Sequence, residues 1–295
     1  MDAIITYVNG LDPIWRQDYD KYAFDRNFGK RFRDWGTLRY LLRGIETCMP
    51  FIRKVHLVVS AESQVPEWLD RSNVDVVLHS DIIPSEFLPT FNSTAIEPFI
   101  FKIRGLDEEF VYFNDDFFPM MPMREEDFFV DGKPCFKPSF KHFTFGNLYR
   151  IHTRNSDILA RNAAGKKTCP FRFAKPQHTC APMLVSLCRE MYDKKEPDIL
   201  QSITRVRETN NLGQYIYTDY MFHIGRYLPK RMSNKHLTLR TASIGKIVRF
   251  IEHPSRKIAC INDVQLSQQE FEIYDKQLLE AFQKRFPQKS RFENQ

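Results

Sequence analysis

Four short apolar runs, AIITYV (3–8), KVHLVVS (54–60), VDVVLH (74–79) and EFVYF (109–113), constrain this chain more than any other feature. Each is β-branched or aromatic and too short for a helix, so each reads as a buried strand. Between the first two, Leu38, Leu41, Leu42 and Ile45 recur at helical spacing ahead of Pro50, and a second helical stretch covers 93–104 before Gly105. The order strand, helix, strand, strand, helix, strand predicts an α/β sheet with crossover helices. Pro98 falls inside the second helical stretch, where it costs roughly 3 kcal/mol outside a first turn, so that helix either starts late or kinks.

Open α/β sheets bind ligands beyond the carboxyl ends of their strands. Asn9-Gly10 follows the first run, and Asn114-Asp115-Asp116 follows the fourth, so both face the expected site. Two adjacent carboxylates repel each other, and a hard divalent cation, Mg²⁺ or Mn²⁺, would compensate them. On the pair alone, one Asp capping a helix or turn beside a solvated Asp is the more ordinary arrangement. Asn92-Ser93 opens the second helical stretch and suits either a plain N-cap or an anion site. Arg31, Arg33, Arg39 and Arg43 cluster closely, and guanidinium matches phosphate geometry. Arg205 and Arg207 in TRVRETNN would share one face if extended, as a diphosphate clamp or as an exposed basic turn. His178 precedes a helix predicted from Pro182 through Tyr192; a lone His is commonly structural, yet it is also the side chain best poised for proton transfer near neutrality. Asp263 in ACINDVQL again follows a short apolar run.

At 295 residues with 42% hydrophobic content, the chain can bury a large core, and without repeats or an evident linker it reads as one domain with an insertion. A net charge of +6 fits an ordinary solvated surface, and no basic-aromatic stripe suggests nucleic-acid binding. The six cysteines form no C-x-x-C pair, and the grouping Cys169, His178, Cys180, Cys188 matches no common zinc spacing. The first residues do not resemble a secretory signal, and no run approaches the roughly 18 apolar residues of a spanning helix, so a soluble, cytoplasmic chain is expected. Residues 120–175 read as loops with a hairpin at Asp131-Gly132, and 200–230 as helical. A C-terminal helix is announced by the capping box Ser267 to Glu270, with Phe271, Tyr274, Leu278 and Phe282 on one face.

Taken in order, four blocks of the chain resemble the Stealth family of sugar-1-phosphate transferases, which includes bacterial capsule polymerases and the enzyme that builds the mannose-6-phosphate tag of lysosomal hydrolases. DAIITYVNGLDPIW (2–15) is similar to the first block, with Tyr7 where Trp is usual. RFRDWGTLRYLLRGIETCMPFIRKVHLVVSAESQVPEWLD and HSDIIPSEFLPTFNSTAIEPFIFKIRGLDEEFVYFNDDFFP carry the long second block. QHTCAPMLVSLCREMY and TRVRETNN resemble the third, with Val206 in place of Phe and Asn210-Asn211 where an acid is common, and KIACINDV resembles the fourth.

The resemblance implies an α/β fold of the nucleotide-sugar-transferase (GT-A, Rossmann-like) type, its sheet flanked by helices, with an inserted mostly helical segment. A nucleotide-binding part (1–120), an insertion (121–255) and a closing segment (256–295) would form one catalytic domain. It further implies transfer of a hexose-1-phosphate, such as N-acetylhexosamine-1-phosphate, from a UDP-sugar to a hydroxyl of a glycan acceptor, releasing UMP, in capsular or exopolysaccharide synthesis. Asp116, His178, Arg207 and Asp263 would be catalytic, and Asp115, Asp116 and Asp263 would hold Mg²⁺ or Mn²⁺. Asn9, Gly10, Arg33, Arg39, Arg43, Asn92 and Ser93 would bind the donor. A soluble enzyme of this kind could associate peripherally with the inner face of the cell membrane. A glycosyltransferase releasing UDP and a non-catalytic nucleotide-sugar or glycan-binding module are the competing readings.

Overall fold

The computed structural model describes residues 1–23, 32–142, 146–169, 171–239 and 241–294; Arg31 lies outside them. The four apolar runs form the parallel strands β1 (Asp2–Thr6), β2 (Val55–Val59), β3 (Val74–Leu78) and β4 (Glu109–Asn114). Their order across the sheet is β3-β2-β1-β4, with β1 paired in parallel to both β2 and β4. This is the Rossmann-like order, in which the chain leaves β1 in opposite directions and opens a crevice at the carboxyl ends of β1 and β4. Ala3, Ile4, Ile5, Val55, Leu57, Val58, Phe110, Val111, Tyr112 and Phe113 are all fully buried. Covered on both faces, such strands read as unbroken apolar runs rather than alternating ones, which made them legible in sequence.

Helix Leu38–Cys48 packs its apolar stripe onto the sheet and stops at Met49, just before Pro50. Gly44 lets it approach closely: a Cβ there would lie 2.7 Å from the Pro119 carbonyl oxygen. The stretch after Asn92 is one α-turn, Ser93–Ile96, continued as a 3₁₀ segment, Glu97–Lys102. Pro98 sits in the first turn of the 3₁₀ segment, where its missing N–H costs nothing.

Three expectations are corrected. Pro182 does not start a helix: Ala181–Leu184 is an antiparallel strand on the edge of the sheet beside β4, and the helix runs Val185–Gln201. An edge strand is where a sheet tolerates proline. Only Ile216–His223 is helical within 200–230 apart from the end of that preceding helix. Residues 120–175 are not mainly loops, since they include paired short strands and the helix Leu148–Ala163. That helix buries His152, Thr153, Ser156 and Asp157 beside Ala160, so its inner face is polar and shows no apolar periodicity. Asp157 there accepts from Arg161 Nε at 2.8 Å and lies 2.7 Å from His223 Nε2. The Asp131-Gly132 hairpin is present, both residues at positive φ (50° and 67°) between the paired Val130 and Lys133.

The C-terminal helix spans Gln268–Arg285 behind a reciprocal Ser267–Glu270 capping box. Its Phe282 lies against Tyr40 and Phe118, with ring centroids 5.5 and 4.7 Å away. Ile258–Asn262, the strand before it, pairs antiparallel with Phe117–Pro119. This pairing brings Asp263 to the same end of the molecule as Asp116.

Candidate active site

A cavity of about 1190 Å³ opens at the carboxyl ends of β1 and β4. Single-ligand pockets usually hold roughly 300–1,000 Å³, so this one has room for two substrates. Thr6, Tyr7 and Val8 enter it from β1, and Asn114, Asp115 and Asp116 from β4. Asp115 and Asp116 are half-buried there. Burial first, then the neighbouring Asp116 and Asp34, push the Asp115 carboxyl up to about 8. Asp116 is pushed up to about 6 by burial, opposed by the Cys260 thiol, by its own backbone N–H and by the charge of Arg207.

Two polar atoms mark what these groups lack. Asp116 Oδ2 accepts from Asn262 Nδ2 at 2.7 Å and from Cys260 Sγ at 3.6 Å, while its Oδ1, like Oδ1 of Asn114, is buried without a hydrogen-bond partner. Buried carboxylate and amide oxygens without donors fit a hard divalent cation, which takes oxygen ligands. Asp263 is brought to the same cavity, where Arg33 Nη1 donates to it at 3.3 Å.

His178 lines the cavity, its Nδ1 lying 2.9 Å from the Tyr215 hydroxyl, which is 3.0 Å from that of Tyr149. Asn234 Nδ2 donates to the His178 carbonyl, and Phe117 packs edge-on to the imidazole. Burial, then the charges of His236 and Lys175, lower the His178 pKa to about 4, so the ring is neutral at pH 7 and able to accept a proton. The sequence-based zinc grouping does not form around it. Cys180 and Cys188 are buried in the core, and burial raises both thiols. Instead, nitrogen atoms of His178 and His236 and the Cys260 sulfur lie within 4.8 Å of one another. Through Cys260, which also reaches Asp116, His178 and the acid pair share one wall.

Arg207 arrives on a loop fastened by two buried asparagines. Asn92 Nδ2 donates to the carbonyls of Thr204 and Val206 and to Asn211 Oδ1 at 3.0–3.3 Å, while Asn92 Oδ1 caps the helix by accepting from Thr94 N. Asn211 Nδ2 donates to Ser202 O and Thr204 Oγ1 at 2.7 and 2.8 Å. Arg207 Nη2 donates to Ser93 Oγ at 3.0 Å. The charge of Arg207 also reaches Glu97, whose carboxyl burial nevertheless pushes up to about 7. Glu97 is only 5% exposed, lines the cavity and has Oε2 unpartnered.

The structure thus gathers Asp115, Asp116, His178, Arg207, Asp263, Arg33, Asn92 and Ser93 around one cavity. Four other expected donor contacts fall elsewhere. Arg43 is buried and paired with Glu293 through bonds of 2.7 and 2.8 Å, and Arg39 stacks over Trp68. Both lie on a helix whose cavity end carries only Thr37 and Leu38 into the lining. Asn9 and Gly10 do not line the cavity: Asn9 N–H donates to Gln64 Oε1, and Gly10 N–H to the Phe32 carbonyl. A Cβ on Gly10 would meet that carbonyl oxygen at 2.2 Å, so the glycine serves a close backbone crossing. Glu97, Tyr149, Tyr215 and His236 were missed. Only Glu97 had a visible signal, as a lone carboxylate in the apolar stretch after the Asn92 cap.

Residues 31–136 match the family model described as Stealth protein CR2, conserved region 2. The exopolysaccharide phosphotransferase cps2G of Lactiplantibacillus plantarum is 31% identical over 99% of this chain and 96% of its own. The capsular polysaccharide phosphotransferase WcwK of Streptococcus pneumoniae is 27% identical over 99% of this chain and 98% of its own. The receptor polysaccharide phosphotransferase WefC of Streptococcus oralis is 42% identical over 45% of this chain and 43% of its own. Among solved structures, the galactosyltransferase LgtC with donor and acceptor sugar analogs aligns over 94% of this chain and 95% of its own, at 8% identity and a TM-score of 0.42. A full-length relative at 31% identity, together with the matched second conserved region, establishes that the chain belongs to the Stealth family.

Proposed function

We propose that this protein transfers a hexose-1-phosphate, of the N-acetylhexosamine class, from a UDP-sugar to a hydroxyl of a glycan acceptor. The reaction would make a phosphodiester and release UMP, in capsular or exopolysaccharide synthesis. The relatives' names as polysaccharide phosphotransferases support the reaction class. The observation that carries it is the placement of Asp116, Arg207 and His178 around one cavity large enough for donor and acceptor together.

Phosphoryl transfer asks a protein mainly to align the two oxygens and to neutralise charge on the transferred group. Arg207 and Arg33 would neutralise phosphate oxygens, and Ser93 holds the Arg207 guanidinium in place. His178, neutral at pH 7 and held through Nδ1, would take the acceptor proton while the acceptor oxygen bonds to the sugar-bearing phosphorus. The bond from that phosphorus to the oxygen bridging the two phosphates breaks, and UMP leaves with the bonding pair. Asp115, Asp116 and Asp263 would hold Mg²⁺ or Mn²⁺, which when bound supplies positive charge to the donor diphosphate. No helix among the described residues is long and apolar enough to cross a membrane, and we place the reaction on the cytoplasmic side, with peripheral membrane contact compatible with it.

Phosphorus NMR of the product tests the proposal. A phosphodiester resonance joining two sugars is expected. A product that gains no phosphorus over the acceptor would assign the cavity to ordinary glycosyl transfer, and a protein that binds UDP-sugars but yields no product would be a binding module.

A further inference from the structure

The cavity is divided by charge, and its cationic half has no assigned task. Lys137, Ser139 and Lys141 occupy alternate positions and all line it. Strand Ser139–His142 pairs antiparallel with Arg172–Lys175, which sets Lys175 directly across from Ser139. Ser139, Lys141 and the cross-strand Lys175 therefore share one face of this two-stranded ribbon, and Lys137 lies in the short link just before it. Arg231 lines the same cavity. Among the described residues, none of these four cations has a carboxylate within ion-pair distance. The Lys175 pKa is lowered by burial and by repulsion from Lys141 and Arg150, so the crowding is felt electrostatically. Lys137, Lys141 and Arg231 are exposed and Lys175 is half-buried, so together they leave this wall of the cavity positive and attractive to an anionic ligand.

The location says which ligand. Lys175 precedes His178 on the same cavity wall, and Gln177 beside His178 donates to the carbonyl of Met232, the neighbour of Arg231, so these two cations border the proposed base. Arg207 and Arg33, on the acidic side, already face the groups assigned to the donor phosphates. A neutral sugar hydroxyl arriving at His178 would give Lys137, Lys141, Lys175 and Arg231 nothing to neutralise. We propose that they form an acceptor-side phosphate subsite: the acceptor saccharide carries a phosphate ester of its own, which these side chains grip while its free hydroxyl meets His178. That chemistry has two sources, a phosphodiester already in the growing chain and the diphosphate of a lipid-linked saccharide.

The proposal rests on the phosphotransfer reading of the cavity, and its test is by binding, so the two can fail separately. The full chain is titrated with a disaccharide joined by a phosphodiester, with its neutral glycosidic counterpart, and with phosphatidylcholine vesicles carrying a polyprenyl-diphosphate disaccharide. At least one charged probe should bind about tenfold or more tightly than the neutral one, with a preference that shrinks as salt rises. The variant Lys137→Ser/Lys141→Ser/Arg231→Ser should lose that preference, and the single exposed Lys141→Glu should weaken it. Preference for the disaccharide identifies the growing chain, and preference for the vesicles identifies the lipid. Equal binding of charged and neutral probes by the parent overturns the subsite. So does a triple variant that loses UDP affinity as much as acceptor affinity, because the cations would then belong to the donor. Retained UDP binding by the variants shows that the fold survives.

Discussion

At the scale of residues, the site depends on groups whose pKa values burial has displaced. His178 is kept neutral by burial, and its orientation comes from Tyr215. General-base catalysis contributes about 10² to 10⁴ in rate, so His178→Ala should reduce kcat by that much while donor KM changes little, as steady-state kinetics would show. Tyr215→Phe keeps the ring and removes the hydroxyl; a smaller fall in kcat with unchanged donor KM is expected if Tyr215 positions His178. Asp115 and Asp116, raised to about 8 and 6, must shed protons before a cation can take their oxygens. Calorimetry should therefore find Mn²⁺ affinity climbing from pH 6 to pH 8 and levelling off above. The sign for stability is opposite without metal. The folded protein holds protons that the unfolded chain has lost above about pH 4, so metal-free stability falls as pH rises toward 8. Asp116→Asn should abolish metal-dependent turnover and, by removing a charge that helps raise Asp115, shift the remaining rise in affinity to lower pH.

Elements were legible where their buried faces are apolar. β1 to β4 and the helix Leu38–Cys48 follow from hydrophobic runs and helical spacing, and the C-terminal helix from its capping box. Helix Leu148–Ala163 escaped notice because its inner face is His152, Ser156 and Asp157, whose partners His223 and Gly213 are distant in sequence. In sequence the loop carrying Arg207 reads equally as a diphosphate clamp or an exposed basic turn; what fixes it is Asn92 reaching across more than a hundred residues to Asn211. The Asn211 amide is fully engaged with Ser202, Thr204 and Asn92. Asn211→Ala would leave those buried partners unmatched at a cost of about 1–3 kcal/mol. Denaturant unfolding should show that loss. Donor KM should rise with it, because Arg207 rides on the same loop.

Across the whole molecule, the site is assembled from segments more than two hundred residues apart. Asp116, His178, Arg207 and Asp263 could be picked out by their resemblance to family motifs, but their convergence depends on the β1–β4 crevice and on Ile258–Asn262 pairing with Phe117–Pro119. Residues without a motif, such as Tyr215 and His236, become visible only through that convergence. The Arg cluster misled in part for the same reason: Arg33 points to the cavity, whereas Arg43 ties helix Leu38–Cys48 to the C-terminal segment through Glu293. Arg43→Ala leaves a buried carboxylate unpaired, and thermal or chemical denaturation should register a loss of about 3–5 kcal/mol without a matching fall in kcat of the folded fraction. The central claim is that the bond broken lies between the two phosphates rather than at the sugar carbon. Incubation with a panel of UDP-sugars, an acceptor glycan and Mg²⁺ or Mn²⁺ tests it most directly through the nucleotide released. Stoichiometric UMP is the predicted result, and stoichiometric UDP would contradict it.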